Sequence, residues 1–526
     1  MRRASVAASA VLCCGALAAY AQSLDPEAIR AADPWFQAGS KAVAEARVLS
    51  PRSGRAKNVI LFVGDGMNPT TVTAARILAG QQAFASGEEN LLAFEKLPFL
   101  ALAKTYNTDA QVPDSAGTMT AMMSGVKTKA GVLGLSDLSR IGDASTVAAS
   151  RVPTLLEDAE RRGLATGIVT TARVTHATPA ACYAHTPERD WESDADLPGE
   201  ARAAGVADIA RQLIEFTAGD GIEVVLGGGR AQFLPATLTD PEEPERRGLR
   251  SDGRDLAAEW QKRNPGAAYV WNRAQLEGLD LAKTRRLFGL FDPSHMEYEA
   301  DRAADRSGEP SLTEMTTAAL RILAAQPKGF VLMVEAGRID HAHHAGNAYR
   351  ALGETIELSR AVEAALALTR REDTLVIVTA DHGHTVTLAG YPKRGNPILG
   401  LVVPPGRDAP LLDAGGHPYT ALNYATGPGN TGESNAQGPG PKRFPHQPSA
   451  FSPAEGRPDL RAVDTTAPDY LQESLVPTSS GAHSGEDVAI YASGPGAELL
   501  RGVREQNYVY HAIVDALGWT SGSARP

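Results

Sequence analysis

The chain has 526 residues, enough to bury a large core and, on length alone, to form about two to four domains. Its 51 basic and 62 acidic residues give a formal charge of -11, which argues against a basic nucleic-acid-binding face, so no specific nucleic-acid partner is expected. Any anionic ligand must therefore be held by local positive charge.

The N-terminus has the pattern of a secretory signal peptide. The stretch "MRRASVAASAVLCCGALAAYAQS" combines a basic start, an apolar run and an AYA site, so we expect a signal peptide over 1–21, cleaved after Ala21. The protein would then be exported, either periplasmic or secreted. The alternative is a membrane anchor, but the apolar run is too short to span a bilayer.

Cysteine usage and the C-terminus fit an exported protein without an anchor. Cleavage would remove Cys13 and Cys14 and leave Cys182 alone, which excludes an intrachain disulfide in the mature chain. The C-terminal "GWTSGSARP" lacks the apolar tail of a lipid-anchor signal, so no membrane anchor is expected.

Short apolar runs rich in β-branched residues alternate with helical stretches along the chain. The runs predict strands at 58–63, 165–171, 222–227, 329–335, 374–379 and 487–492. Apolar spacing predicts helices at 152–163, 206–216, 312–325 and about 348–371. Apolar strands separated by helices imply a mainly parallel central sheet with helices on both faces, an α/β three-layer sandwich.

Two segments interrupt this alternation. Residues 235–310 are predicted to be an irregular region, and residues 390–476, which include "GPGNTGESNAQGPGPKRFPHQPS", have the composition of an inserted surface domain. We therefore expect an N-terminal arm over 22–57 and a catalytic α/β domain formed by 58–389 and 477–520.

Ser115 occupies a place where side-chain bulk suddenly decreases. It stands in "VPDSAGTMTAMMSG", between an aspartate and a run of small residues that turns helical. Small residues let another molecule approach the backbone, and the unpaired N–H groups of a helix N-terminus attract anions. A phosphate group would suit this place.

Acidic and imidazole side chains follow two of the predicted strands. Asp65 comes two residues after "NVILFV", and Asp381 and His382 come directly after "TLVIVTA". In open α/β sheets ligands bind outside the carboxyl ends of the strands, so these residues can converge although they are far apart in sequence. A single aspartate after a strand is more often a turn or helix-cap residue. The informative observation is that such residues follow two different strands.

A third predicted strand ends in Glu335 and continues as "AGRIDHAHHAG". Asp340 and His344 are four residues apart, so in a helical turn they share a face, as two metal ligands must. His341 and His343 then point elsewhere. The alternative for such a histidine-rich loop is a solvated surface or adventitious metal binding.

Two further segments supply polar candidates. The segment "TTARVTHATPAACYAHTPERDW" follows a strand and offers His176, Thr178 and Arg189, and an arginine can hold two oxygens of a phosphate dianion at once. The segment "SSGAHSGEDVAIYA" brings His483 in front of the last strand. Periodicity cannot show that His483 reaches the site, because it precedes its strand.

Six of these motifs together resemble the alkaline phosphatase family, in the variety closer to animal and some marine bacterial enzymes. They occur in the family's order between Asn58 and Trp519 and read "VGDGM", "PDSAGTMTAM", "THATPAACYAH", "VEAGRIDHAHH", "TADHGHT" and "AHSGEDVAIYA". The resemblance therefore covers most of the chain.

The resemblance implies two zinc ions and one magnesium ion per subunit. The implied ligands are Asp340, His344 and His483 for the first zinc, Asp65, Asp381, His382 and Ser115 for the second, and Asp65, Thr178 and Glu335 for magnesium. Imidazole suits zinc, whereas hard oxygen ligands suit magnesium. His176 would lie beside the magnesium ligands and His384 near the second zinc.

The same resemblance implies further features of the molecule. A possible calcium site in the irregular region would comprise Glu242, Asp292 and Glu309 with the carbonyl of Phe291. The insertion would be a crown-like surface domain, and the protein would be a homodimer.

The implied function is hydrolysis of small phosphate monoesters. Ser115 would attack phosphorus and form a phosphoserine, while Arg189 and backbone N–H groups hold the phosphoryl oxygens, and the products would be inorganic phosphate and an alcohol. One alternative is a phosphodiesterase or sulfatase-like hydrolase on the same scaffold, although "DSAGT" does not match the sulfatase motif. A second alternative is an exported metal-binding protein without catalysis.

Overall fold

The computed structural model describes residues 25–49 and 54–519, so the expected signal peptide lies outside the described residues. The strands are β1 Asn58–Gly64, β2 Phe99–Lys104, β3 Ala165–Arg173, β4 Val224–Gly228, β5 Ala268–Val270, β6 Leu287–Leu290, β7 Phe330–Ala336, β8 Thr374–Ala380, β9 Gly383–His384, β10 Val386–Leu388, β11 Leu422–Gly427, β12 Ser474–Pro477, β13 His483–Ser484, β14 Val488–Ser493 and β15 Gly502–Glu505.

The helices begin with an N-terminal pair that packs on the rest of the chain. They are α1 Pro26–Ala32, α2 Pro34–Leu49, α3 Pro69–Gln82, α4 Ser115–Ser124, α5 Val147–Ser150, α6 Leu155–Arg161, α7 Ala177–Ala180, α8 Gly199–Ala203, α9 Ile209–Ile214, α10 Arg230–Phe233, α11 Leu256–Arg263, α12 Arg273–Glu277, α13 Leu312–Leu323, α14 Arg338–His344, α15 Ala348–Leu368 and α16 Tyr508–Ala516.

A ten-stranded sheet runs through the described chain in the order β15-β2-β14-β8-β1-β7-β3-β4-β6-β5. β14 is antiparallel to both of its neighbours, whereas the other pairings are parallel. The strands expected from the apolar runs all belong to this sheet. The prediction of an α/β three-layer sandwich with a mainly parallel sheet is confirmed.

Helical layers explain why the central strands are apolar along their whole length. β7 and β8 are buried at every residue, and β1 at every residue after the first. Helices α3, α13 and α15 pack together as one group, and α4 packs with α6, α7 and α16 as another. A strand covered on both faces has no polar side, so its sequence does not alternate.

The expectation of an irregular region over 235–310 is corrected by the structure. β5 and β6 lie within it and extend the central sheet beyond β4, and α11 and α12 lie there too. Their lengths explain the error, because strands of three and four residues are too short to establish a periodic pattern.

Residues 390–476 contain little regular structure, as their composition suggests. Two of the three strands in a small separate sheet, β11 and β12, lie within or at the end of this segment, and β10 pairs with β11 from just before it. The rest of the segment consists of turns, bends and irregular coil, with one short 3-10 helix at Leu460–Ala462.

No described helix is both long enough and apolar enough to cross a membrane. Cys182 is a buried free thiol, and Cys13 and Cys14 fall outside the described residues.

Candidate active site

The carboxyl ends of three adjacent parallel strands bring the central carboxylates together. β1 lies between β7 and β8, and the register pairs Gly64 with Ala336 on one side and with Ala380 on the other. Asp65, Glu335 and Asp381 therefore emerge at the same level of the sheet edge. This is the convergence that the sequence predicted for Asp65 and Asp381.

Ser115 begins α4 at this edge. The carboxylate of Asp114 caps the helix by accepting a hydrogen bond from the N–H of Ala116 at 3.0 Å. The Ser115 side chain is directed into the protein, with the residue only 2% exposed, and its Oγ lies 3.0 Å from Nε2 of His382. The predicted nucleophile is thus next to a predicted metal ligand.

Three candidate metal groups contain the ligands expected from the sequence. The first consists of Asp340, His344, His384 and His483, each of which offers one ligand atom within 4.8 Å of the others. Nδ1 of His483 lies 2.8 Å from the Pro113 carbonyl oxygen, and Nδ1 of His344 contacts the Gly481 carbonyl oxygen. These contacts assign the ring protons to Nδ1 and leave both Nε2 atoms with lone pairs.

Those two Nε2 atoms face each other at 3.1 Å, close to the carboxylate of Asp340. Two lone pairs and a carboxylate repel one another unless a cation lies among them. The donor set of imidazole nitrogens and one carboxylate fits zinc.

The second group consists of Asp65, Asp381 and His382, all fully buried. Oδ1 of Asp65, Oδ2 of Asp381 and Nδ1 of His382 have no hydrogen-bond partner among the described residues. Nε2 of His382 lies 3.5 Å from Oδ1 of Asp65 and 3.3 Å from Oδ2 of Asp381. Buried carboxylate oxygens without partners are costly, and a divalent cation would satisfy them.

The third group consists of Asp65, Glu335 and His176. The hydroxyl of Thr178 lies 3.4 Å from Oδ2 of Asp65, and the hydroxyl of Thr170 donates to Oε2 of Glu335. Oε1 of Glu335 and Nδ1 of His176 are buried and unpartnered in the part of the chain that the structure describes. Its mainly oxygen donors suit magnesium.

Burial and mutual repulsion shift the pKa values of these groups in opposite directions. Burial, reinforced by Asp381, Asp340 and Glu335, raises the pKa of Asp65 well above its usual range. Burial lowers the pKa of His382 and of His176, so both imidazoles are neutral and able to act as ligands. Burial acts to raise the pKa of Asp340 as well, but His344 and His384 more than offset it, so that pKa is low.

Arg189 provides the positive charge that an acidic chain needs at a phosphate site. Its guanidinium is ion-paired with Asp114, and Nη2 lies 2.9 Å from Nε2 of His176. Asp114 therefore both caps the helix of Ser115 and holds Arg189, which fixes the arginine beside the serine.

A family profile described as Alkaline phosphatase matches residues 56–519. The chain belongs to the alkaline phosphatase family. The tissue-nonspecific alkaline phosphatase of Gallus gallus is 45% identical over 94% of this chain and 91% of its own length. An alkaline phosphatase of Gadus morhua is 44% identical over 88% and 92%. The crystal structure of the Thermus thermophilus alkaline phosphatase is similar over 89% of this chain and 92% of its own, with a TM-score of 0.62 and 26% identity.

Membership of the alkaline phosphatase family makes this protein a metal-dependent hydrolase of phosphate monoesters. It also explains why so many buried ligand-type atoms lack protein partners at one edge of the sheet. Every zinc, magnesium and nucleophile residue expected from the sequence lies in or against one of the three groups.

His384, which is expected near the second zinc, has its Nε2 in contact with Oδ1 of Asp340 and so belongs to the first group. Its ring centroid lies 5.9 Å from that of His382 in the second group. The pairing of β9 with β13, which sets His384 opposite His483, is the cause. Two-residue strands leave no periodic signal from which this could be foreseen.

Sequence reasoning missed three polar residues at the site. Thr170 contacts Glu335 from within β3, Asp114 anchors Arg189, and His295 packs beside His176 and His341, with ring centroids 5.2 and 4.1 Å away. A lone histidine in a region expected to be irregular carries no signal. Asp114 could have been found as the helix cap before Ser115.

The residues expected to hold calcium lie in the segment between α10 and α13. Glu242 is ion-paired with Arg230 at 2.8 Å, and Oε2 of Glu309 accepts the N–H of Glu297 at 2.9 Å. Oε1 of Glu309 has no hydrogen-bond partner within the described ranges. Burial and the neighbouring Asp292 raise the pKa of Glu309 to about 9.

Proposed function

We propose that this alkaline phosphatase hydrolyses small phosphate monoesters through a phosphoserine at Ser115. The observation that carries the proposal is the position of the Ser115 hydroxyl, buried at a helix N-terminus, 3.0 Å from His382 and next to the anchored Arg189. A hydroxyl is a weak nucleophile at neutral pH and needs such an environment to be activated.

The three groups of residues would hold two zinc ions and one magnesium ion per subunit. Bound there, these ions would supply Lewis-acid stabilisation of the negative charge on the attacking and leaving oxygens. The first zinc would be held by Asp340, His344 and His483, the second by Asp65, Asp381, His382 and Ser115, and the magnesium ion by Asp65, Thr178 and Glu335. Their unpartnered buried atoms support this assignment.

The residues of the chain then act in two displacements. Oγ of Ser115 loses its proton and forms a bond to phosphorus as the ester P–O bond breaks, and the leaving alkoxide takes a proton to become the alcohol. Water then attacks the phosphoserine, restores the serine hydroxyl and releases inorganic phosphate. Throughout, the guanidinium of Arg189 donates to two phosphoryl oxygens, which orients the group and balances its charge.

A monoester fits this arrangement better than a diester. The terminal phosphoryl group of a monoester has two charged oxygens that the forked guanidinium of Arg189 can hold, whereas a diester has only one such charge. Because Asp114 and His176 restrain Arg189 beside Ser115, the arginine is ordered before substrate arrives.

The remaining features are proposed from the sequence pattern and the family. The mature enzyme would be exported to the periplasm or secreted, and it would act as a homodimer. Residues 390–476 would form a crown-like domain at the rim of the site. A calcium ion would be held by Glu242, Asp292 and Glu309 with the Phe291 carbonyl, and the unpartnered oxygen of Glu309 supports it.

The proposal is tested by comparing an aryl phosphate monoester, the matching diester and the matching sulfate ester with one purified sample. We expect the monoester to be hydrolysed fastest, with a rate that rises into alkaline pH because the ligands and the nucleophile act deprotonated. Quenching with ³²P-labelled substrate at low pH, followed by peptide mapping, should locate the label on Ser115. A faster diester reaction, or a label on another residue, would contradict the proposal.

A further inference from the structure

Three acidic residues gather at the edge of the sheet opposite the active site. Glu160 lies in α6, Glu223 immediately precedes β4, and Asp220 lies in the loop 217–223 between α9 and β4. One carboxylate oxygen of each lies within 4.8 Å of the others. We call this set the acidic cluster. It adjoins the start of β3, whereas the catalytic residues follow the strand ends at the other edge.

Positive charge at the acidic cluster does not balance the carboxylates. Nη2 of Arg286 lies 2.9 Å from Oδ2 of Asp220 and 3.6 Å from Oε1 of Glu223. Glu160 and Glu223 are only 2% and 5% exposed, so water cannot screen them well. One guanidinium facing three carboxylates leaves an excess of negative charge in a mostly buried place.

Glu160 provides an observation that is independent of the clustering. Its Oε1 accepts a hydrogen bond from the hydroxyl of Thr166 at 2.5 Å, which fixes the orientation of the carboxylate. Its Oε2 is buried and finds no hydrogen-bond partner anywhere in the described chain. Gly219 lies next to this oxygen in the loop that carries Asp220, because a Cβ added to Gly219 would come within 2.5 Å of Oε2. The unpartnered oxygen of Glu160 is therefore directed at that loop.

The backbone around the acidic cluster is fixed by protein contacts. The N–H of Thr166 donates to Oε2 of Glu223 at 2.7 Å, and Arg286 donates to the carbonyl oxygens of Asp220 and Gly221 at 2.6 and 3.0 Å. These bonds hold the loop and two of the carboxylates in place, so a ligand would not have to order them first.

We propose that Glu160, Asp220 and Glu223 bind a hard divalent cation of the calcium type, which fastens the loop 217–223 to α6 and β3. A set made only of carboxylate oxygens selects hard cations over zinc. The Asp220 side chain is 79% exposed, which gives the ion an entry path and room for waters to complete its coordination. The site shares no residue with the calcium position implied by the family.

A shared proton is the competing occupant of the acidic cluster. Burial and the nearby Glu223 raise the pKa of Glu160, and burial raises that of Glu223, so one carboxyl could keep its proton instead of binding a metal. Glutamine mimics a protonated glutamate, so Glu160→Gln preserves a protonated cluster and removes a cation site.

The test measures calcium bound by the full mature chain. Wild-type protein, Glu160→Gln, Asp220→Asn and the control Glu200→Gln are equilibrated with CaCl₂, passed through metal-free buffer and analysed for calcium, zinc and magnesium by mass spectrometry. Asp220→Asn changes an exposed side chain, so we expect this variant to fold, and Glu200 is an exposed glutamate on α8. We expect wild type and Glu200→Gln to retain one calcium ion more than the two cluster variants.

Thermal unfolding supplies the second readout. Calcium should raise the Tm of wild type and of Glu200→Gln more than that of either cluster variant, because a ligand that binds only the folded state stabilises it. Monoesterase activity and zinc content should be equal in all four proteins. Equal calcium content and an equal calcium-dependent Tm in wild type and both cluster variants would overturn the proposal, even if catalysis is as proposed. A parallel titration with MgCl₂ distinguishes the two hard cations.

Discussion

At the scale of single residues, the active site at the carboxyl ends of β1, β7 and β8 is marked by buried polar atoms without hydrogen-bond partners in the described chain. The Asp65, Asp381 and Glu335 carboxylates each have a buried oxygen without a hydrogen bond in the described chain. Such atoms normally cost stability, so their concentration around Ser115 indicates ligands that lie outside the polypeptide. The hydroxyl of Ser115 lies 3.0 Å from Nε2 of His382, which belongs to the same group as Asp65 and Asp381.

Replacing Ser115 with alanine should separate catalysis from metal binding. We expect Ser115→Ala to lower kcat by about 10³-fold or more, because it removes the group that accepts the phosphoryl group. Zinc and magnesium content should stay near that of wild type, since most ligands remain. Ser452→Ala, on the exposed insertion, is the matched control and should retain full activity. Loss of the metals from Ser115→Ala would contradict the role assigned to Ser115.

The sequence could predict which residues lie together where a polar motif follows a strand or occupies one helical turn. Asp340 and His344 could be paired because four residues separate them, and Asp65 and Asp381 because both follow apolar strands. His483 and His384 were beyond such reasoning, since their meeting depends on the antiparallel pairing of two-residue strands. His483 was a candidate from its segment alone, but only the resemblance to a family assigned the two histidines to the metal sites.

At the scale of elements, α4 is the part whose position matters most to Ser115. The side chain of Asn107 accepts the N–H of Asp114 at 2.7 Å, and Gly117, one turn into the helix, packs against that asparagine. A Cβ on Gly117 would also lie 2.9 Å from the Lys129 carbonyl oxygen. The small residues after Ser115 therefore allow close packing on the side of the helix away from substrate as well.

Gly117→Ala tests whether this packing outweighs helix propensity. Propensity alone predicts stabilisation by about 1 kcal/mol, whereas the clash with Asn107 and Lys129 predicts destabilisation by about 1–3 kcal/mol. We expect the clash to outweigh the helix propensity, so that the variant is less stable than wild type. We also expect kcat/KM to fall by about 10-fold or more, because a small displacement of a nucleophile strongly lowers the rate. Thermal unfolding and steady-state kinetics provide the measurements.

Gly353→Ala on α15 is the control for this comparison. A Cβ there meets no atom within 4 Å in the described chain, so alanine should stabilise the protein slightly and leave activity unchanged. If both variants were equally stable and active, the close packing of α4 would have no role in placing Ser115.

The long, fully buried elements were predictable from the sequence, and the short edge elements were not. β1, β7 and β8 are uninterrupted apolar runs, and α13 and α15 show clear helical spacing. β15 has four residues, two of them charged, and β2 lacks β-branched residues, so neither carries a strong strand signal. Their pairing at the end of the sheet is a tertiary effect.

At the scale of the whole molecule, burial of ionisable groups couples stability to pH. Glu354 lies inside α15, is buried and accepts the N–H of Glu299 at 2.5 Å. Burial raises the pKa of Glu354 from 4.5 to about 8. Between these pH values the folded state keeps a proton that the unfolded state has lost, so this residue makes stability fall as pH rises.

Glu354→Gln should remove that loss, because glutamine can still accept the Glu299 hydrogen bond and never ionises. We expect the Tm of the variant minus that of wild type to be smallest near pH 4.5 and to increase up to about pH 8. Glu363→Gln, at an exposed site on the same helix, is the control, and its Tm should equal that of wild type at every pH in this range. A Tm difference that does not change over this range would show that Glu354 is not protonated in the folded protein.

The order of the ligands along the chain has a consequence for biogenesis. Asp65 is made early, but His483 is translated after almost the entire central sheet, and the first metal group is incomplete without it. A nascent polypeptide or a fragment truncated before β13 could bury most of its core and still lack a working centre. Maturation of the enzyme is therefore tied to delivery of the full-length product.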